Sequence, residues 1–282
     1  MRAILILAVL SLASCAEPAD SSTSQAQVAE TASSDTYTPT TGQDGKDVVW
    51  VPTPDALVDR MLNMAKVTKE DYLVDLGSGD GRTVIAAAKR GVRAHGIEYN
   101  PDLVALSQRN AKAASVARLA TFERADIFKA DFSKATVVTL FLLPSLNLKL
   151  RPILLDMKPG TRIVSNTFDM GEWQPDDKID AGGDCTNWCR ASKWIVPAKV
   201  EGEWRFEGGA LNLAQSFQLL TGTIVLGSEK LPISDARMDG EAISFSAGGQ
   251  RYSGTVFSGK LALRRQDGKS WGASHQGPGR AQ

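Results

Sequence analysis

The sequence is poor in the residues that mark metal and thiol chemistry. Three cysteines and two histidines are scattered through 282 residues. No group of them has metal-ligand spacing, so no metal site is expected. A surplus of either charge is missing too. The 32 basic and 32 acidic side chains give a formal net charge of +0, which argues against wholesale binding to nucleic acid, and none is expected as a partner. Long apolar runs are also lacking. The one at the start, Ala3 to Ala13, has eleven residues, against about 20 for a membrane-spanning helix.

What is there begins with that run. Met1-Arg2 gives a positive start, the apolar run follows, and Leu12-Ala13-Ser14-Cys15 closes it. Residues 1–15 therefore read as an export leader. Leu-Ala-Ser-Cys resembles a bacterial lipobox, which would make Cys15 a lipidated N-terminus; an ordinary signal peptide cut nearby is the alternative. Either way the mature chain is expected outside the cytoplasm, on the periplasmic side. If acylated, it is held at a membrane by its lipid alone, and Ala16 after the cysteine favours the outer membrane. Residues 16–46 are mostly Ser, Thr, Ala, Gln, Asp and Glu. They cannot bury enough surface to offset the entropy of ordering and read as a disordered tether.

The 43% hydrophobic content of the chain suffices for one large or two modest domains. The stretch around which they are organised is Val74 to Arg82, V-D-L-G-S-G-D-G-R. The apolar lead-in Tyr72-Leu73-Val74 reads as a short buried strand, and Thr83 to Arg90 as a helix closed by Gly91. Gly77, Gly79 and Gly81 let the backbone turn sharply and let a ligand approach without meeting a Cβ. Strand, glycine turn and helix form the first half of a nucleotide-binding βαβ unit. The spacing is G-x-G-x-G, however, not the G-x-G-x-x-G of dinucleotide binders; Asp75 stands just before the first glycine and Asp80 inside the turn. Carboxylates there suit a cationic ligand better than a pyrophosphate.

Downstream, Arg93 to Tyr99 reads as a second strand ending in Glu98, about 20 residues past the glycines, the place where an acid accepts hydrogen bonds from ribose hydroxyls. Asn100 and Pro101 read as N-cap and first residue of a helix to about Ser115. Val116 to Arg124 follows as a strand, and Thr136 to Leu143 as a sheet-centre strand buried on both faces. Leu148 to Met157 reads as a helix bent or begun near Pro152, Thr161 to Phe168 as a fifth strand, and a hairpin near 178–181 and 192–197 closes the sheet. Before the first strand, Thr53 and Pro54 read as N-cap and first residue of an amphipathic helix. Val51-Pro52-Thr53-Pro54 is either part of a lid or only a helix start.

The nine residues from Val74 to Arg82, in their strand–helix setting, resemble motif I of the class I S-adenosylmethionine-dependent methyltransferases. A narrower likeness covers about half the chain. V-P-T-P, D-L-G-S-G-D-G-R-T-V-I-A-A-A-K-R-G, G-I-E-Y-N-P-D-L-V, D-I-F, G-T-R-I-V-S-N-T-F, W-Q-P and W-I-V-P, in that order, resemble the small seven-strand family that includes the mitochondrial protein-lysine methyltransferases. The resemblance implies a Rossmann-like α/β sheet over residues 47–200, S-adenosyl-L-methionine as cofactor, and a lysine in a protein as acceptor. It implies cofactor contacts from Asp75, Gly77, Ser78, Gly79, Gly81, Glu98 and Tyr99. Asp126 would meet the adenine amino group and Ile127 the ring face. The Asn-Pro-Pro-Tyr motif of amide and adenine N-methyltransferases is absent.

Methyl transfer from a sulfonium needs a placed and desolvated nucleophile more than a dedicated base, so no catalytic residue is singled out. Phe141, Pro144, Phe168 and Trp173 are candidates for an apolar acceptor channel, each with core packing as the alternative. His95 reads as structural. Cys185 and Cys189 read either as a small disulfide loop or as two thiols. Residues 201–273 change character: short alternating runs separated by Gly, Asp and Ser imply an antiparallel β-meander, open or partly closed as a barrel, that caps the first domain or recognises a partner. Residues 274–282, with His275, read as a flexible tail. Because S-adenosylmethionine is made in the cytoplasm and the leader sends the chain out, the alternative function is an exported lipoprotein with a ligand-binding but non-catalytic Rossmann-like domain.

Overall fold

The computed structural model describes residues 37–182 and 185–277. The leader, Cys15 and most of the expected tether lie outside the described residues.

The first sheet has seven strands in the order β3-β2-β1-β4-β5-β7-β6. The strands β1 (Tyr72–Leu76), β2 (Arg93–Glu98), β3 (Ala120–Arg124), β4 (Val137–Leu140) and β5 (Arg162–Asn166) are parallel. The hairpin of β6 (Asp177–Asp180) and β7 (Arg190–Ile195) adds two antiparallel strands beside β5. Helices α1 (Asp55–Met64), α2 (Arg82–Lys89), α3 (Pro101–Ala113) and α4 (Pro144–Leu155) cover its faces. The strand order reverses between β1 and β4, so the carboxyl ends of these two strands open the crevice where ligands sit in such sheets.

Local chemistry accounts for most of these boundaries. Asn100 caps α3, its side chain accepting from the Asp102 and Leu103 amides, with Pro101 in the first turn. Gly91 takes φ +83° just past α2, and the Val92 amide donates back to the Ala87 carbonyl. At the edge away from the crevice, Asp71 is buried and accepts from Arg162 of β5, from the Thr136 hydroxyl and from the Thr68 amide at 2.7 Å. Three expectations shift. Pro54, not Thr53, caps α1, and Thr53 is buried with its hydroxyl accepting from Asn166 Nδ2 at 3.2 Å. Helix α4 begins at Pro144, because a proline without an N–H fits a first turn, and it carries Pro152 inside. Strand β4 ends at Leu140, which frees Phe141, Leu142 and Leu143 to turn into the crevice.

The expected meander is a closed barrel. Strands β8 (Gly202–Phe206), β9 (Gly209–Ser216), β10 (Leu219–Leu226), β12 (Ser234–Asp239), β13 (Ala242–Ala247), β14 (Gln250–Phe257), β15 (Lys260–Arg265) and β16 (Ser270–His275) each pair with their neighbours in the chain, and β16 returns to β8. A short β11 (Glu229–Pro232) extends β10. Closure leaves no free edge among these eight strands. The inward positions, including Trp204, Phe206, Leu211, Ile224, Met238, Phe245, Tyr252 and Leu263, are all buried, so the barrel is filled by its own side chains.

Both expected ends move. Residues 274 and 275, expected in the tail, complete the barrel: Ser274 pairs with Arg205 and His275 with Trp204, and His275 Nε2 lies 2.8 Å from the Glu201 carbonyl. Residues 37–46, expected in the tether, are pinned. The Gly42 amide donates to Trp50 O and the Trp50 amide to Gln43 O, each at 2.9 Å. The barrel docks through the β9–β10 turn. Phe217 stacks on Trp173 with centroids 6.1 Å apart, Gln218 Nε2 donates to the Gln174 carbonyl at 2.7 Å, and Arg237 pairs with Asp176 at 2.6 Å.

Candidate active site

The carboxyl edge of the first sheet carries a cleft of about 510 Å³, within the usual range for small-ligand sites. Two kinds of side chain divide it. On the side of β1, β2 and β3 the strand ends supply carboxylates: Asp75, Glu98 and Asp126. On the side of β4, β5 and β7 they supply rings: Phe141, Phe168 and Trp188.

Asp75 is buried at 7% exposure and accepts a 2.6 Å hydrogen bond from the Thr139 hydroxyl on β4. Burial pushes its carboxyl up to about 7, against the Thr139 bond and with the negative charges of Glu98 and Asp80 adding to the rise. Glu98 reaches across the glycine turn: Oε2 accepts from the Gly79 amide and Oε1 from the Asn100 amide, both at 2.9 Å. A carboxylate has about four acceptor sites, so two remain for a ligand. Asp126 accepts from the Phe128 amide at 3.0 Å and from Lys46 Nζ at 2.8 Å. The Lys46 ammonium holds its carboxyl below the usual range.

At Gly79 the missing Cβ makes room for the Trp50 indole of the chain itself, not for the ligand approach expected there. Gly79 has φ +54°, and a Cβ there would meet Trp50 Nε1 at 2.6 Å. Between the glycines, the Ser78 side chain packs over Gly96 of β2, where a Cβ would meet its hydroxyl at 2.5 Å, and that hydroxyl is buried without a hydrogen-bond partner among the described residues. Asp80 is not free for a cation. Arg82 grips it with Nε at 3.0 Å and Nη2 at 2.7 Å, and donates through Nη1 to the Thr53 carbonyl at 3.0 Å, tying Val51-Pro52-Thr53-Pro54 to the glycine turn.

Most of the expected residues meet here. Asp75, Gly77, Ser78, Gly79, Glu98, Tyr99, Asp126, Ile127, Phe141 and Phe168 all line the cleft. Three do not. Gly81 lies behind it at the start of α2, where a Cβ would strike Phe122 at 2.7 Å and Ser107 at 2.9 Å, so its smallness serves packing. Pro144 is exposed at the first turn of α4. Trp173 is fully buried, packed on Trp194 and Phe217, and belongs to the seam with the barrel.

Two groups of lining residues escape a reading by motif. Residues Gln43 to Trp50 form a strap along one wall, continued by Val51, Pro52 and Thr53, expected either as part of a lid or as a helix start; the strap's only sequence signal is the change from polar tether to Val48-Val49-Trp50-Val51. Trp188 comes from the loop closed by the Cys185–Cys189 disulfide, and the ring of two cysteines around a tryptophan was the signal. His95 lies in β2 outside the cleft, its Nδ1 2.8 Å from the Thr121 hydroxyl.

Comparison with known proteins agrees with this geometry. The family model for the ANTKMT methyltransferase domain matches residues 75–177. A protein-lysine N-methyltransferase of Saccharolobus islandicus is 42% identical over 135 residues, 47% of this chain and 84% of that protein. The adenine nucleotide translocase lysine N-methyltransferase of Mus musculus is 39% identical over 129 residues, 45% of this chain and 56% of the mouse protein. A crystal structure from Salinibacter ruber, described as an RNA methyltransferase in complex with S-adenosyl-L-homocysteine, is 53% identical with a TM-score of 0.50, covering 53% of this chain and 96% of that one. With a sheet of this order, a glycine turn facing Glu98 and a lysine-methylating relative matched over most of its length, the chain belongs to the class I S-adenosylmethionine-dependent methyltransferases, in the family of protein-lysine N-methyltransferases.

Proposed function

We propose that this protein N-methylates lysine side chains of a protein, holding S-adenosylmethionine on the carboxylate side of the cleft and the lysine on the aromatic side. The observation that carries the reading is the charge of the cleft. Its lining holds six carboxylates, Asp44, Asp47, Asp75, Asp80, Glu98 and Asp126, against two cations, Lys46 and Arg82, both of them paired with carboxylates. Such a lining attracts a sulfonium, an ammonium and an incoming lysine, and repels the phosphates of RNA.

The residues fit the cofactor. The spare acceptor sites of Glu98, among the other carboxylates of the lining, match a ligand with hydroxyls and a positive charge. In this reading Asp75, Gly77, Ser78, Gly79, Glu98, Tyr99, Asp126 and Ile127 hold it, and when bound it supplies a methyl group on an activated sulfonium. The chain's own work is placement and desolvation. Lysine is protonated in water with a pKa of about 10.4, and the apolar wall of Phe141 and Phe168 favours its neutral form as it approaches. No side chain is needed as a strong base, since the ammonium can pass its proton to water at the mouth of the cleft before the amine reaches Phe141 and Phe168.

Calorimetry with S-adenosylhomocysteine on wild type and Glu98→Ala tests the pocket. Transfer of tritiated methyl to membrane proteins, soluble proteins and total RNA, with acid hydrolysis of the product, tests the acceptor. Methyl-lysine supports the reading; label confined to RNA refutes it. We also propose that residues 1–15 export the chain and that Cys15 carries a lipid. The leader's composition supports this, as does the Cys185–Cys189 disulfide, a bond that persists in oxidising compartments. Unchanged membrane association of Cys15→Ser would count against the anchor.

A further inference from the structure

The aromatic wall has three rings, and the third is held differently from the other two. Phe141 directly follows β4, and Phe168 is the second residue past β5. Trp188 sits in a five-residue ring closed by Cys185 and Cys189, beyond the residues 75–177 that match the family model. The rings meet as a triangle, with centroids 5.9 Å apart for Phe141 and Phe168 and 5.7 Å from each to Trp188. Trp188 has φ +56°, a left-handed backbone that bulky residues rarely adopt and that persists where the surroundings impose it. The surroundings hold the disulfide ring at its Cys189 end. The Ala181 amide donates to the Cys189 carbonyl at 2.7 Å, and the Thr167 amide, next to Phe168, donates to the Arg190 carbonyl at 2.8 Å. The two cysteines pack on the core beneath, while Trp188 remains 44% exposed at the mouth of the cleft.

We infer that Trp188 contacts the acceptor, forming the outer wall of the lysine channel, and that the Cys185–Cys189 disulfide is the positioning device that keeps it there. This rests on the lysine reading of the cleft. An exposed indole beside two phenyl rings offers a primary alkylammonium both an apolar surface for its stem and a π-face for its charge. Without the disulfide, the left-handed turn at Trp188 is held only from the Cys189–Arg190 side, and the indole gains freedom to leave the other two rings.

The test uses binding, so it does not depend on turnover. The full-length protein is titrated with S-adenosylhomocysteine and with a bisubstrate probe, an adenosyl amine carrying an alkylamino arm as long as a lysine side chain in place of the methyl group. The readout is the ratio of the two affinities within each variant. The arm should strengthen binding to wild type. That gain should fall about tenfold in Trp188→Ala and in Cys185→Ser/Cys189→Ser, the loss expected for one desolvated cation–π contact plus its apolar area. Trp188→Phe should recover most of it. Cysteine substitutions added to Trp188→Ala should cost nothing more, because they act only through the indole. Dithiothreitol applies the same perturbation without substitution: it breaks the S–S bond, leaves two thiols and becomes a cyclic disulfide. It should lower the gain in wild type and not in Trp188→Ala. A gain retained in both variants overturns the assignment of Trp188 and leaves the lysine reading standing. An arm that adds nothing even to wild type, while S-adenosylhomocysteine still binds, overturns both.

Discussion

Replacing Asp75 by asparagine separates what this carboxylate does for the fold from what it does for the ligand. Its folded-state pKa is raised from 3.8 to about 7, with burial as the largest cause. Between about pH 4 and 7 the native protein therefore keeps a proton that the unfolded chain has released. Stability present at low pH is lost as the pH rises through that window. At about 1.36 kcal/mol per unit, the native state above pH 8 carries a penalty on the order of 4 kcal/mol. Asp75→Asn removes the penalty and keeps an acceptor for the Thr139 hydroxyl. The variant should gain little at pH 4 and progressively more towards pH 8, where melting of the methyltransferase domain should rise by roughly 10 °C, given about 2–4 °C per kcal/mol for domains of this size. Ligand affinity should move the other way. A cation binds the ionised carboxylate, so wild-type affinity for S-adenosylmethionine should fall roughly tenfold from pH 8 to pH 6, while the variant binds weakly with little pH dependence. Calorimetric melting and titration across pH 4–8 measure both. Parallel melting curves for the two proteins would show that Asp75 does not titrate in this window, and the argument would fail.

Glu98→Ala leaves the Gly79 and Asn100 amides without their carboxylate partner and removes charge-assisted bonds of about 1.5–3 kcal/mol; affinity for S-adenosylhomocysteine should drop roughly 10- to 100-fold in calorimetry. Lys46→Ala releases the strap from Asp126 and from the Tyr99 ring 4.7 Å away, and stopped-flow displacement should show faster ligand dissociation. Phe217→Ala takes the barrel's ring off Trp173; a loss of about 3 kcal/mol should lower the melting temperature and expose the 168–176 segment to protease.

How much of this was legible in the sequence depended on whether the signal was local. The glycine turn, the Asn100-Pro101 cap and the carboxylate at the end of β2 are each fixed by residues a few positions apart, and each lies where spacing put it. The run Thr136 to Leu143 was readable as a buried strand, but not that its last three residues leave the sheet to line the cleft. Apolar side chains suit both fates. Trp173 shows the same ambiguity more sharply. A tryptophan beside a suspected channel reads as a wall, and only the barrel's Phe217, 44 residues later, makes it a seam. The strap was missed for the opposite reason. Gln43 to Asp47 is polar enough to read as tether, and what orders it is a pair of backbone hydrogen bonds to Trp50 and one lysine meeting Asp126, 80 residues away. Barrel closure depends on β16 finding β8, a pairing between the two ends of a domain that no local pattern encodes.

The segment from Asn166 to Asp176 connects these observations. At one end Phe168 stands in the cleft, and the Thr167 amide beside it is tied to the start of β7 next to Trp188. In the middle Asn147 Nδ2 of α4 donates to the Asp169 carbonyl at 3.0 Å, and Arg151 Nη1 to the Met170 carbonyl at 2.9 Å. At the other end Trp173 stacks on the barrel, and Asp176 joins Arg237 of β12 to the Ile195 amide of β7. A loop of ten residues, 167–176, would ordinarily be the most mobile part of such an edge. Here its backbone is held by a helix, by the sheet and by the second domain, and the ring it presents to the cleft is held with it. The barrel's interior is filled by its own side chains, and through Phe217 and Arg237 it grips the far end of the segment whose near end forms the aromatic wall, the kind of support from behind that placement of a reacting group calls for.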